Sequence, residues 1–452
     1  AFQAAPRSTR SDFQRYYHAG RAVLDDGDIY AARGRLQFKY FPVFAQCMAP
    51  FAALPKPVAA YAWYAVIAAS YAGMLWVTLR FALDGAPDRD RQRLALPVAV
   101  TALLISGRFF VDNARLGQIN IPVAFLAYIG AYHALRSRER LGGWFTAWAA
   151  CLKFMPAVLL LWFGWRRRWI AAVHGVAAVL VFLFVVPAFT WGWNDNIDRL
   201  KGYIDRRSKM VETVPKHDAP GQSVPALLNR FLRPVRASSL NEAEKRVYSV
   251  NVASLSRTTV NRIALGAVLV LVLLAAWRTG PFRSKEVDGM GAELGVVLVL
   301  MLLISPEARR AHFVTLMLPA GVLAARALAA PSRRRTEVAA LVAALALTLG
   351  TSSDLIGEAA SSYAAAYGCV GVAAALLGAA LFRSGRTPEL RTYASDIPLI
   401  ARTAPPDPRG TATASDTDAS GAKGALTGPD AGDDGAEPGP SGNAAGGGHA
   451  AP

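Results

Sequence analysis

A few polar side chains interrupt long apolar blocks in this sequence, and their types suit proton transfer and phosphate or sugar recognition. Asp12 lies in SDFQRYYHAGRAVLDDGDIY, where Phe13, Tyr16, Tyr17, Gly20 and Leu24 share one helical face. Ser11 and Gln14 have capping-box spacing, so a helix is expected to start there. Asp12 reads either as a first-turn carboxylate favouring the helix dipole or as a general base at a membrane surface. Asp26 and Asp28 flank Gly27 and read as a turn before Tyr30 rather than as a metal motif. Lys39 opens an apolar, proline-bounded segment, FKYFPVFAQCMAPFAALP, too short to span a bilayer; it either meets a lipid phosphate or snorkels.

Arg115, Gln118 and Asn120 in DNARLGQIN stand at a helix start and either cap it or hydrogen-bond a sugar. Lys153 lies within an apolar block, where a charge is costly and marks a functional site by default; the alternative is a bond to carbonyls freed by Pro156. Gln222 and Ser223 in GQSVPALLNRFL precede an amphipathic stretch with Leu227, Leu228 and Phe231. ISPEARRAHF places Arg309, Arg310 and His312 at a helix end, where His312 alone reads as an interfacial histidine. The other histidines form no ligand pair, and Cys47, Cys151 and Cys369 share no metal-ligand spacing.

The elements that must position these groups follow from composition. Of 452 residues, 53% are hydrophobic and 18% charged, with a mean hydropathy of +0.26. That argues against a soluble enzyme, a disulfide-rich module and a zinc protein, and for a polytopic membrane protein. The formal charge of +17 sits in short runs between apolar blocks, such as Arg89, Arg91 and Arg93, then Arg136, Arg138 and Arg140, then Arg166 to Arg168 and Arg333 to Arg335. These runs read as cytoplasmic loops, and no nucleic-acid-binding motif accompanies them.

Blocks near 57–82, 94–110, 117–135, 168–190, 260–278, 289–305, 311–329, 336–352 and 364–382 are expected to be membrane helices. Segment 141–165 has Arg-rich flanks on both sides and Lys153 and Pro156 at its middle, so it is expected to be a broken, re-entrant pair of short helices. The expected fold is all-α: a polytopic bundle of about ten membrane segments, in one domain over 1–386 with outer loops 1–56 and 191–259. Short links near 111–116, 306–310 and 353–363 would also lie outside. Residues 387–452 read as a disordered cytoplasmic tail. A chain that begins at Ala1 already on the outer side is expected to lack a preceding membrane helix.

Taken together, Asp12-Phe13, Tyr16-Tyr17, Ala19-Gly20, Tyr30, Phe38-Lys39-Tyr40, Pro42-Val43-Phe44, Gly117-Gln118 with Asn120, Lys153 with Pro156, Gly221-Gln222-Ser223 with Leu227-Leu228, and Ser305-Pro306 with His312 resemble glycosyltransferase family 87 in order and spacing to about residue 330. The later helices match only in hydropathy. One departure is Tyr40-Phe41-Pro42, where the family commonly has tyrosine-proline-proline.

The resemblance implies a GT-C-type membrane enzyme of the plasma membrane. It would move a hexose, most readily mannose, from a polyprenyl-phosphate carrier to a lipid or glycan acceptor on the extracytoplasmic face. The family's base maps to Asp12 and its outer histidine to His312. Positioned cations would stabilise the departing phosphate, with Lys39, Arg115, Arg309 and His312 as candidates. Such a leaving group carries less charge than a nucleoside diphosphate, so no metal or other cofactor is expected. One base without a nucleophile implies inversion. The rival readings are a transporter or lipid flippase, which would place polar groups at midplane on repeated broken helices, and a non-catalytic assembly subunit.

Overall fold

The computed structural model describes residues 11–32, 36–213, 221–235, 249–280, 289–306, 308–329 and 334–383, all within one compact unit. The tail at 387–452 lies outside the described residues, as do 214–220, with His217, and 236–248. The described chain is helical, and its only extended pairing is an antiparallel bridge between Gly221 and Arg309.

Two short helices open the fold, α1 (Asp12–Leu24) and α2 (Pro42–Ala52). The expected capping box does not form: Ser11 is the N-cap residue, but its hydroxyl donates to the carbonyl of Leu116, 3.2 Å away. A tertiary partner thus displaces the local one. Between the two helices Asp28 Oδ1 accepts the Tyr30 N–H at 2.8 Å, the side-chain turn expected of that stretch.

Next come α3 (Lys56–Ala82), α4 (Asp88–Leu116) and α5 (Asn120–Leu135). At 27 and 29 residues, α3 and α4 rise about 40 Å and cross a hydrocarbon core with length to spare. Gly117 ends α4 in the left-handed region at φ +64°, and a Cβ there would lie 2.8 Å from that of Phe13. The chain turns sharply into α5 with α1 seated on the turn.

The 141–165 segment folds as expected into two helices, α6 (Glu139–Leu152) and α7 (Ala157–Trp165), broken at Lys153–Pro156. Glu139, at the start of α6, accepts from Arg168 at 3.2 Å and from the N–H of Ala171 at 3.4 Å, just beyond α7. The chain has returned to the level at which it entered, which makes the pair a hairpin.

After the hairpin, α8 (Trp169–Leu180), a π-helical turn (Val181–Val185) and α9 (Val186–Trp191) form one apolar rod. Pro187 cannot bond the Leu183 carbonyl, and the Asn196 amide donates to it instead at 3.0 Å. Asn196 belongs to α10 (Trp193–Thr213), which with α11 (Val224–Leu232) gives helical structure to the long stretch between the α8–α9 rod and the next apolar helix. The chain closes with α12 (Arg257–Arg278), α13 (Met290–Ile304), a 3-10 turn (Arg310–Leu316) running into α14 (Met317–Ala329), α15 (Arg334–Thr348), α16 (Ser353–Ala366) and α17 (Cys369–Arg383).

Among the described residues five stretches are long and apolar enough to cross a membrane: α3, α4, the α8–α9 rod, α12 and Arg310–Ala329. A sixth results if α15 and α16, bent by 85°, count as one. The helices α5, α13 and α17 are apolar but shorter. Each block expected to be a membrane helix lies on one of these elements. The differences lie at 111–116, expected as a link and found as the last turns of α4, and at 353–363, expected as a link and found as helix α16 with a kink at Gly357.

Polar contacts gather at two ends of the bundle. One joins Asp84 to Arg136, Glu139 to Arg168, and Arg166 to Glu293 at 3.3 Å. The other joins Ser11 to Leu116, Asn113 to Ala311, Gly221 to Arg309 and Gln222 to Ala365. Arg136, Arg166 and Arg168 of the Arg-rich runs fall on the first end, and most candidate site residues fall on the second.

The hairpin packs by small residues, as helices without a hydrophobic drive between them must. A Cβ on Gly142 would lie 2.6 Å from the Cα of Ala134 in α5, and one on Gly143 would lie 2.7 Å from the backbone nitrogen of Gly175 in α8. Gly142→Val is expected to lower stability by about 1–3 kcal/mol, read as the thermal unfolding midpoint in detergent. Gly107→Ala, on a face of α4 with nothing within 4 Å, is the control and should leave the midpoint in place.

Candidate active site

The polar residues of the second end form one continuous hydrogen-bonded chain. Asp12, on the first turn of α1, has its Oδ1 2.8 Å from Arg15 and its Oδ2 2.8 Å from the Gln118 amide nitrogen. The oxygen of Gln118 accepts from the Asn120 amide at 2.8 Å, and the same amide donates to Asn113 Oδ1 at 2.9 Å. The oxygen of Asn120 accepts from Lys153 Nζ at 2.5 Å, and Nζ lies 2.6 Å from His312 Nε2. Four separate elements meet here: the start of α1, the turn from α4 to α5, the tip of the α6–α7 hairpin and the 3-10 turn before α14.

The direction of the chain is set by its ends. A carboxylate only accepts, so Gln118 must turn its nitrogen to Asp12 and its oxygen to Asn120. That orients Asn120 with its nitrogen toward Gln118 and its oxygen toward Lys153. At the far end the N–H of Arg309 donates to His312 Nδ1 at 3.1 Å. The ring of a neutral histidine then carries its proton on Nε2, and Lys153 Nζ can accept that proton only as an unprotonated amine.

The histidine turn is held from several sides. Pro319 cannot donate to the carbonyl of Thr315, which instead accepts the Tyr128 hydroxyl at 2.7 Å; the same hydroxyl accepts the N–H of Leu318 at 3.1 Å. Asn113, fully buried, bonds the carbonyl of Ala311 at 2.8 Å and that of its own helix at Phe109 at 2.7 Å. Phe313 packs on Phe109, ring centres 6.1 Å apart.

Beneath Asp12 the hydroxyls of Tyr16 and Tyr40 lie 3.0 Å apart. Burial raises the Tyr16 phenol well above its usual range. Burial likewise pushes Tyr40 up to about 12, against the lowering pull of its bond to Tyr16, with the Asp12 charge adding to the rise and Arg15 and Arg309 opposing it. Both phenols are therefore O–H groups at any working pH, and the charges of Asp12, Arg15 and Arg309 converge on Tyr40. The Asp12 side chain is 18% exposed, so it is neither sealed nor freely solvated, and its oxygens keep acceptor capacity beyond Arg15 and Gln118.

The structure brings together Asp12, Tyr16, Gln118, Asn120, Lys153, Arg309 and His312. Lys39 lies half-buried between Phe38 and Tyr40 in the segment that joins α1 to α2. Arg115 turns elsewhere and pairs with Asp354 at 3.8 Å, both largely exposed. Tyr17 ties α1 to the carbonyl of Leu54 at 3.0 Å. Gln222 and Ser223 lie behind Arg309: the Gln222 N–H donates to Ala308 at 2.8 Å, its amide donates to Ala365 at 2.8 Å, and Ser223 caps α11.

Sequence reasoning passed over Arg15, Asn113 and Arg230, and named Tyr40 only within the family motif. Arg15 had a local signal, three residues from Asp12 on one helix. Asn113 had none, since its partners come from the end of α4, the start of α5 and the turn at Ala311. Among the described residues no three histidine, cysteine, aspartate or glutamate side chains gather as a metal-binding set.

Comparison with known proteins adds the chemistry. Over 371 residues the chain is 28% identical to a polyprenol-phosphate-mannose-dependent alpha-(1-2)-phosphatidylinositol mannoside mannosyltransferase of Mycolicibacterium smegmatis, covering 77% of each chain. A protein of the same description from Mycobacterium tuberculosis is 29% identical over 204 residues, 41% of this chain and 46% of that one. The profile of glycosyltransferase family 87 matches residues 38–306, a span that holds Lys39, Gln118, Asn120, Lys153, Gln222 and Ser223 and leaves Asp12 and His312 outside it. With more than half of its length matched, the chain belongs to glycosyltransferase family 87 and is a membrane glycosyltransferase.

Proposed function

We propose that this enzyme transfers mannose from a polyprenyl-phosphate carrier to a lipid or glycan acceptor on the extracytoplasmic face of the cell membrane, with Asp12 as the base. The observation that carries the reading is the oriented chain from Asp12 through Gln118, Asn120 and Lys153 to His312. The names of the two mannosyltransferases support the donor and the class of acceptor. The sidedness is supported by Arg136, Arg166 and Arg168 of the Arg-rich runs, which fall on the opposite end of the bundle from Asp12.

In the proposed step the acceptor hydroxyl hydrogen-bonds an Asp12 oxygen. As that hydroxyl oxygen attacks the anomeric carbon, its proton passes to Asp12. The bond from the anomeric carbon to the phosphate oxygen breaks, and its electron pair stays on the phosphate. Arg309 and Lys39 supply positive charge for that developing anion, and no step is routed through a metal. Arg15 and Gln118 fix the carboxylate so that one of its free lone pairs faces the acceptor. The displacement is single, so a β-linked donor gives an α-linked product.

The test is transfer from radiolabelled polyprenyl-phosphate-mannose to a membrane lipid extract by purified enzyme in lipid nanodiscs. Asp12→Asn, which keeps the shape and can still bond Arg15 or Gln118, is expected to lose about 10²–10⁴-fold in rate while remaining folded. Equal transfer by wild type and Asp12→Asn removes Asp12 from the mechanism. A second prediction concerns the hub. Asn120→Leu strips partners from Gln118, Asn113 and Lys153 at once, at about 1–3 kcal/mol for each buried group left unsatisfied. Its unfolding midpoint in detergent should fall well below that of Asp12→Asn, whose altered group sits at the edge of the network.

A further inference from the structure

Arg230 is nearly fully buried, at 1% exposure, on α11. Its guanidinium spans two pieces of chain far apart in sequence. Nη1 donates to the carbonyl of Gly221 at 2.6 Å, Nε to that of Ala366 at 3.0 Å and Nη2 to that of Ala365 at 3.4 Å. Ala365 and Ala366 are the last residues of α16, where the helix dipole favours a cation, and the Ala365 carbonyl also accepts the N–H of Gly368 at 3.1 Å. Gln222 adds its own amide to Ala365.

What Arg230 holds leads directly to the site. Gly221 pairs with Arg309 in the antiparallel bridge, and the N–H of Gln222 donates to Ala308 at 2.8 Å. The N–H of Arg309 in turn orients the imidazole of His312 through Nδ1. The route from Arg230 to the Lys153–His312 contact thus runs through backbone hydrogen bonds, which admit little slack.

We propose that Arg230 is a positioning residue. By clamping Gly221 to the C-terminal end of α16, it sets the strand of chain at 308–309 that fixes the ring of His312. Its link to turnover rests on the function proposed above; its link to the His312 geometry does not. Lysine keeps the charge but is a point donor that cannot reproduce the fork over three carbonyls, so Arg230→Lys is the informative change.

The experiment records ring ¹⁵N spectra of histidine-labelled full chain in lipid nanodiscs, where six histidines keep the spectrum sparse and His312→Gln assigns the signal by its loss. Arg230→Lys is expected to move the His312 Nδ1 resonance. Arg278→Lys should leave it in place, since Arg278 is also buried and bonded to a helix-end carbonyl, Phe382 at 3.0 Å, but at the other end of the bundle. In the mannose-transfer assay Arg230→Lys should lower kcat by about 10–100-fold with KM retained. If Arg230→Lys does not fold, Arg230→Gln, whose single amide still reaches one carbonyl, takes its place in both measurements.

An unmoved His312 resonance in the Arg230 variant, with only its unfolding midpoint lowered, would overturn the proposal. The spectrum needs no substrate. Absence of transfer by wild type would therefore sink the donor reading while the spectrum still decides the role of Arg230.

Discussion

A primary amide buried among apolar helices must satisfy a donor end and an acceptor end at once, and Asn120 does so with three partners from three other positions in the fold. Its nitrogen serves Asn113 and Gln118, and its oxygen takes Lys153. An unmet polar group at such depth costs as much as the bond it lacks, so the partners cannot drift independently. The end of α4, the start of α5 and the tip of the hairpin are held in one geometry because one amide needs all of them. The polarity of that amide also orders the chain on either side of it, so the carboxylate and the lysine–histidine pair stand at opposite ends of a directed path.

Proline supplies the second organising constraint. A proline within a helix leaves a carbonyl without its usual partner, and at Pro319 and Pro187 side chains that also set geometry fill the vacancy. Tyr128 answers Pro319 and so seats the turn bearing His312. Asn196 answers Pro187 and so docks the long helix α10 on the α8–α9 rod. At Pro156 the break is itself the device, since it frees Lys153 from a helical path and lets it reach across to His312.

Much of the architecture was legible residue by residue. The apolar blocks map onto helices, and the contradiction of two Arg-rich flanks around one short apolar segment leads directly to a hairpin. The polar residues singled out between 12 and 312 mostly share one end of the bundle. Arg115 shows where such reading stops. Its position beside Gln118 is right for the site, but its direction on the last turn of α4 carries it to Asp354. A capping box at Ser11 was a sound local inference, defeated by a tertiary carbonyl at Leu116.

The sequence by itself determined the helical class, the placement of apolar spans and the break at Lys153–Pro156. These are properties of composition and short-range spacing, and hydrophobic length and charge runs record them locally. The tertiary structure alone decided which polar groups meet. It made Asn113 a hub, set Tyr40 beneath Asp12, turned Arg115 away and gave Arg230 two distant segments to join. A hydrogen bond acts over about 3 Å, and the order of residues along the chain does not say which of them will come that close.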